Sequence, residues 1–156
     1  MTPEVDAYIA RQPAAFRATL DLLRHHLAAL LPDHIECLSY AMPGFRAPGP
    51  KGKMVIGYAA FARHIGLYPH SGGIIPHIDC TPYKTSKSGL LFAPENMPPL
   101  ALIARIVRAR QAELAAGYTS ALRFHLFLNI RAGTAAFRLA GGTTSSARAP
   151  QQKDRP

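Results

Sequence analysis

Cysteine, acidic residues and long apolar runs are all scarce in this chain of 156 residues. The two cysteines, Cys37 and Cys80, are too few for a disulfide framework and too far apart for a CxxC metal site. We therefore expect two reduced, partly buried thiols. No stretch reaches the roughly 20 apolar residues that a membrane-spanning helix needs. Glu4, Asp6 and Arg11 interrupt the apolar run that a signal peptide requires, so a soluble cytoplasmic protein is expected.

The shortage of acidic residues leaves a strongly basic chain. Nine Asp and Glu stand against 18 Lys and Arg, which gives a formal net charge of +9. The excess is uneven, because residues 118–156 carry six Lys or Arg and a single acid, Asp154. Such a balance favours anionic partners. An adaptor that binds nucleic acid or another polyanion through this basic segment is therefore one hypothesis, although no recognised nucleic-acid motif is present.

The common catalytic and phosphate-binding motifs are also missing. No serine lies in a GxSxG context. The segment YKTSKSG at 83–89 lacks the GxxxxGK[ST] order of a P-loop and is not followed by a helical pattern. We therefore predict a protein that is not an enzyme.

What the sequence does contain is a clear helical pattern at its start. Pro3 fits the first position of a helix that Thr2 can cap. After Pro13 a second helix follows, whose apolar residues recur at spacings of three and four and which Pro32 ends. This pattern places Arg24 mostly on the polar face. The residues expected in the core here and further along the chain are Leu20, Leu23, Leu27, Ile56, Ile65, Leu67, Ile103 and Val107.

Short strands separated by Gly and Pro come next. Residues 34–41 read as a first strand, 54–61 and 64–69 as the middle strands, and 89–93 as the last. Met42-Pro43-Gly44 has the composition of a turn, in which Gly44 would take a backbone conformation closed to other residues, with Phe45 aimed inward. A final helix begins after Pro98-Pro99, and Gly117 is its expected C-cap.

The order helix, antiparallel strands, helix predicts an α+β fold with the helices packed on one face of the sheet. We assign residues 1–117 to this single domain. Residues 118–140 form an apolar and basic extra segment, which we expect to pack on the domain or to mediate self-association. Residues 141–156 are polar and rich in Gly, Ser and Pro, and a disordered tail is expected there.

Several short pieces occur together and in order: VDAYIARQP, SYAMPGF, ARHIGLYP, YKTSK and LIARIVRAR. In these pieces, from Val5 to Glu113, the chain resembles the YdhG-like family, a domain of unknown function described as a frataxin-like intracellular iron chaperone. The resemblance implies a frataxin-like, two-layer sandwich and a non-enzymatic binding protein, with iron as the cofactor or ligand. Ser88 departs from the family pattern, which usually has Gly after YKTSK.

Two candidate sites follow from the residues themselves. A straight strand would place His64, Tyr68 and His70 on one face, and His77, Asp79 and Cys80 could close on them from the next segment. His64, His70, His77 and Asp79 are therefore the predicted metal ligands. Tyr68, Lys84 and Lys87 are the predicted ligand or anion contacts, with Arg63 as an added cation. The carboxylates near the first helices and strand form no acidic ridge for iron: Glu4, Asp6, Asp21, Asp33 and Glu36.

Overall fold

The structure is a computed structural model, and it describes residues 1–117. Met1–Ala116 form one compact unit. The elements in chain order are α1 (Pro3–Ala10), α2 (Ala14–Leu30), β1 (Ile35–Ser39), β2 (Met42–Arg46), β3 (Met54–Ala60), β4 (Ile65–Tyr68), a 3₁₀ turn (Ile75–His77), β5 (Lys84–Thr85), β6 (Leu90–Phe92) and α3, which covers residues 100–117. The assignments to residues 118–140 and 141–156 lie outside the described part of the chain.

The six strands form one antiparallel sheet in the order β1-β2-β3-β4-β6-β5. Together with the three helices this confirms the α+β class. Consecutive strands pair through short connections from β1 to β4, and β6 then pairs with β4. The two-residue strand β5 pairs with β6 at the edge. The sequence does not indicate β5, because a strand of two residues is too short to show a periodic pattern.

The hydrophobic core was predicted correctly. Side chains from all three helices and from the sheet belong to a single buried cluster. All eight expected core residues are at most 1% exposed: Leu20, Leu23, Leu27, Ile56, Ile65, Leu67, Ile103 and Val107. Burial of one stripe on each helix explains the spacing of the helical core residues. The core residues on β3 and β4 lie in strands whose central residues are buried consecutively. Phe45 is also buried, as expected.

The turn between the first two strands was misplaced by the sequence. Met42, Pro43 and Gly44 lie within β2, and the turn is made by Tyr40 and Ala41, whose φ angles are 51° and 59°. Two consecutive residues in the left-handed region match the right-handed twist of the two strands that they join. Neither residue is one of the types that signal such a turn, so composition pointed to the neighbouring Pro-Gly pair instead.

Glycine is required at position 44 because a side chain would not fit there, and not because the backbone has a positive φ angle. It pairs with Cys37 on one side and Gly57 on the other. A Cβ placed on Gly44 would collide with the carbonyl oxygen of Ile56 and lie 2.8 Å from Cε of Met54. The expectation of an unusual backbone conformation at this position was therefore wrong, because Gly44 occupies an ordinary strand.

Arg24 also differs from its predicted place. It is 3% exposed and lies on the inner side of α2. Its guanidinium binds the carboxylates of Glu36 on β1 and Asp6 on α1, at 2.6 Å each. Helical spacing alone put Arg24 on the polar face, but an arginine can be buried when carboxylates satisfy its donors.

The remaining boundaries agree with the sequence to within a few residues. A 3₁₀ turn at Ile75–His77 lies between β4 and β5. Gly117, the expected C-cap of the last helix, is still helical and is the final described residue. No helix within residues 1–117 is long and apolar enough to cross a membrane.

Candidate functional site

One face of the sheet belongs to the core, and the other carries an unusual number of glycines. Side chains alternate between the two faces of a strand. Since Glu36, Phe45 and Ile56 are paired in register and buried, their neighbours point the opposite way. We call that opposite side the glycine face, and it carries Cys37, Gly44, Gly57, Gly66, Tyr68 and Gly89.

Tyr68 lies flat across two of these glycines. A Cβ on Gly89 would be 2.5 Å from Cε1 of Tyr68, and a Cβ on Gly66 would collide with the phenol hydroxyl. The ring can therefore rest against the backbone only because both positions lack a side chain. Burial raises the pKa of Tyr68, so its hydroxyl remains protonated and can donate a hydrogen bond.

Phe61 and His64 extend this aromatic surface. Their rings are stacked, with centroids 4.8 Å apart and planes 18° apart. Phe61 also meets Tyr68 edge-on, at 6.4 Å and 75°. Phe61 is 45% exposed, so the outer part of this cluster is open to a planar or apolar group.

A cavity of about 400 Å³ opens beside the aromatic cluster. We call it the basic cavity, and the lining residues that bear on its chemistry are Arg63, His64, Tyr83, Lys84, Phe92 and Asn96. Among the described residues that line it, two carry a fixed positive charge and none is acidic. Such a lining suits a carboxylate or a phosphate with an attached apolar part.

The hairpin of β5 and β6 positions the basic cavity. Lys84 pairs with Leu91, and the loop between the two strands is closed by the N–H of Ser86, which donates to the carbonyl of Gly89 at 2.8 Å. The Tyr83 hydroxyl donates to the carbonyl of Met97 at 3.3 Å, which fixes that ring at the rim. Lys84 and Arg63, which are distant in sequence, therefore meet at one opening.

The four predicted metal ligands are not brought together. His64 lines the basic cavity, whereas His70 lines a second cavity of about 420 Å³ with Met42, Tyr68 and Ser88. His64 precedes β4 and His70 follows it, so the two residues lie beyond opposite ends of that strand. His77 and Asp79 are exposed and line neither cavity. Within residues 1–117, no three His, Cys, Asp or Glu side chains are grouped closely enough to hold a metal ion.

Asp79 has a local structural partner. Its Oδ1 accepts the N–H of Thr81 at 3.0 Å. That hydrogen bond is the main reason that the pKa of Asp79 is lowered. The carboxylate thus shapes the turn that leads to β5, a role that aspartate often has in loops. Cys80, which the sequence placed beside it, is buried, and burial raises the pKa of its thiol.

The three residues predicted to contact a ligand or anion, Tyr68, Lys84 and Lys87, do not line one cavity. Lys84 lines the basic cavity and Tyr68 lines the second one. Lys87 is exposed in the loop after β5 and lines neither. The sequence predicts Arg63 as an added cation on this face, but it does not indicate Phe61 or Asn96. Their contribution depends on strand order, for which the sequence carries no local signal.

The same fold occurs in a solved structure. A Bacillus subtilis protein of the DUF1801 family, YdhG, is similar to this chain with a TM-score of 0.61 and 16% identity. The similarity covers 70% of this chain and 90% of the other. No family model matches the sequence, and no curated protein matches it. The likeness therefore establishes the YdhG-like α+β fold and leaves function to the chemistry of the site.

Proposed function

We propose that this protein is a non-enzymatic binding protein that holds a small anionic ligand in the basic cavity. The observation that carries the proposal is the meeting of Arg63 and Lys84 at an opening whose described lining contains no acid. Two fixed cations without a neighbouring carboxylate favour an anion and disfavour a metal cation.

The size and lining of the cavity indicate the kind of ligand. About 400 Å³ lies within the range of small-molecule sites. Arg63 can bind a carboxylate or phosphate through two parallel hydrogen bonds, and Lys84 adds a compact charge. Leu91 and the ring of Tyr83 offer apolar surface, and the exposed Phe61 lies beside His64. A ligand with one anionic group and one planar ring fits these features.

Iron binding and polyanion binding are the two other hypotheses, and the structure bears only on the first. An iron chaperone would need a cluster of oxygen or nitrogen ligands, and the described residues contain no such group of three. Polyanion binding through the basic segment beyond residue 117 stays a prediction, since that segment lies outside the described residues. The absence of enzymatic activity likewise stays a prediction from the missing catalytic motifs.

The proposal can be tested by thermal-shift screening followed by calorimetry. The probes are monophosphorylated nucleosides and aromatic carboxylates, measured with the full chain. We expect one or more probes to raise the melting temperature, because a ligand that binds only the folded state stabilises it. Arg63→Ala and Lys84→Ala should each weaken that binding by about tenfold.

Lys87→Ala is the matched control. Lys87 sits in the same hairpin as Lys84 but does not line the cavity, so its loss should leave affinity unchanged. If no probe binds, or if Lys84→Ala and Lys87→Ala weaken binding equally, the basic cavity is not the ligand site.

A further inference from the structure

A second group of side chains meets on the glycine face, away from the basic cavity. Cys37 and Met54, from β1 and β3, are in contact, and Met54 and His70, which follows β4, lie over the paired glycines Gly44 and Gly57. None of the three lines the basic cavity.

The two sulfur atoms are in direct contact. Sγ of Cys37 approaches Sδ of Met54 to 3.7 Å. Cys37 is paired with Gly44, and the Met54 side chain reaches over that glycine, with Cε 2.8 Å from the place that a Cβ would take. The missing side chain at Gly44 is what leaves room for the thioether next to the thiol.

The imidazole of His70 lies over the adjacent glycine. Its Nε2 is 2.7 Å from the place of a Cβ on Gly57, and a Cβ on Gly44 would be 3.0 Å from Cα of that same Gly57. The ring nitrogen of His70 and the terminal methyl group of Met54 therefore lie over two glycines that are paired across β2 and β3. His70 has a φ of 50°, in the left-handed region, which turns its side chain back over the sheet.

The His70 nitrogen has no partner in the described structure. Its Nε2 is buried, and no hydrogen-bond partner is found for it among residues 1–117. Buried polar atoms are normally satisfied, and an exception calls for a physical explanation such as a bound ion.

We propose that Cys37, Met54 and His70 form a binding site for Cu(I). Thiolate and thioether sulfur are soft ligands that select Cu(I), and imidazole is an accepted third ligand. On binding, the Cys37 thiol releases its proton and the thiolate bonds to the metal, with no change of oxidation state. The second cavity, lined by Met42, Tyr68 and His70, reaches this group of side chains at His70.

The test is a Cu(I) titration of the reduced full-length protein under anaerobic conditions, in competition with the chromophoric chelator bicinchoninate. We expect a single Cu(I) ion per chain. Cys37→Ser should abolish binding in this competition, and Met54→Leu and His70→Asn should each weaken it by about tenfold or more. Leucine keeps the volume of Met54, and asparagine tolerates the left-handed backbone at position 70.

Cys80→Ser is the control for the other thiol of the chain, and it should bind as the wild type does. Thermal melting of each variant checks that it is folded. The proposal is overturned if Cys37→Ser retains wild-type affinity. It is also overturned if Cys37→Ser weakens binding while Met54→Leu and His70→Asn both bind normally, because the site would then be a single thiol.

Discussion

Arg24 and Glu36 form an ion pair that is buried on both sides. Nε and Nη2 of Arg24 donate to the two carboxylate oxygens of Glu36 at 2.6 and 2.9 Å. Their side chains are only 4% and 6% exposed. The pair joins the middle of α2 to β1, and the backbone N–H of Thr2 donates to the same carboxylate. The start of α1, the centre of α2 and the edge strand are thereby fixed to one another.

Removal of one partner of the Arg24–Glu36 ion pair should lower the stability of the protein. Arg24→Met leaves the Glu36 carboxylate buried and without its main partner, so we expect the free energy of unfolding to fall by about 3–5 kcal/mol. Arg17→Met on the exposed side of the same helix is the control and should change it by less than about 0.5 kcal/mol. Urea denaturation of both variants measures the difference. Equal stability of the two variants would contradict a structural role for the pair.

The same pair predicts a dependence on pH. Burial alone would raise the pKa of Glu36, but hydrogen bonds from Arg24 and Thr2 outweigh it and the pKa is lowered. A carboxylate with a lowered pKa in the folded state stabilises the protein above its ordinary pKa of 4.5, and this contribution is lost as the pH falls through the folded-state pKa. The stability difference between wild type and Glu36→Gln should therefore shrink on acidification.

Unfolding by urea at a series of pH values from about 7 down to about 3 gives this difference directly. Comparison with Glu36→Gln cancels the contributions of other carboxylates whose pKa values are also lowered, such as Glu113 and Asp79. A difference that stays constant across the series would show that Glu36 does not titrate below its ordinary value.

The core packing of α2 can be tested with two adjacent leucines. Leu23 is fully buried, whereas Leu22 is 49% exposed. Leu23→Ala should lower the free energy of unfolding by roughly 2–5 kcal/mol, because it leaves a cavity between helix and sheet. Leu22→Ala removes the same atoms from a solvent-facing position and should cost less than about 1 kcal/mol. A similar cost for both would mean that the helix is rotated from its described position.

The paired glycines of β2 and β3, Gly44 and Gly57, should not tolerate substitution by a residue with a side chain. Gly44→Ala places a methyl group against the Ile56 carbonyl and Met54, so we expect a loss of about 1–3 kcal/mol. Gly72→Ala is the control, since a Cβ there meets nothing within 4 Å, and it should be neutral or slightly stabilising. Thermal denaturation compares the two. A Gly44→Ala variant as stable as Gly72→Ala would contradict the close approach of β2 and β3.

The sequence predicted those features that depend on neighbours a few residues apart. The apolar spacing of α2, the prolines at its two ends and the apolar runs of β3 and β4 predicted the fold class and the eight core residues. It failed at the turn of Tyr40 and Ala41, because neither residue has the composition of a turn. It also failed at β5, because two residues are too few to show a period.

The candidate sites depended on contacts between distant parts of the chain. The sequence by itself determined which residues can bind anions or metals, and it predicted that His64, Tyr68 and His70 share one strand face. Only the tertiary structure decided that Lys84 meets Arg63, that His64 and His70 line different cavities, and that Cys37 contacts Met54. Strand order and register set these distances, and they are fixed by burial of the whole core, which no local pattern of residues records.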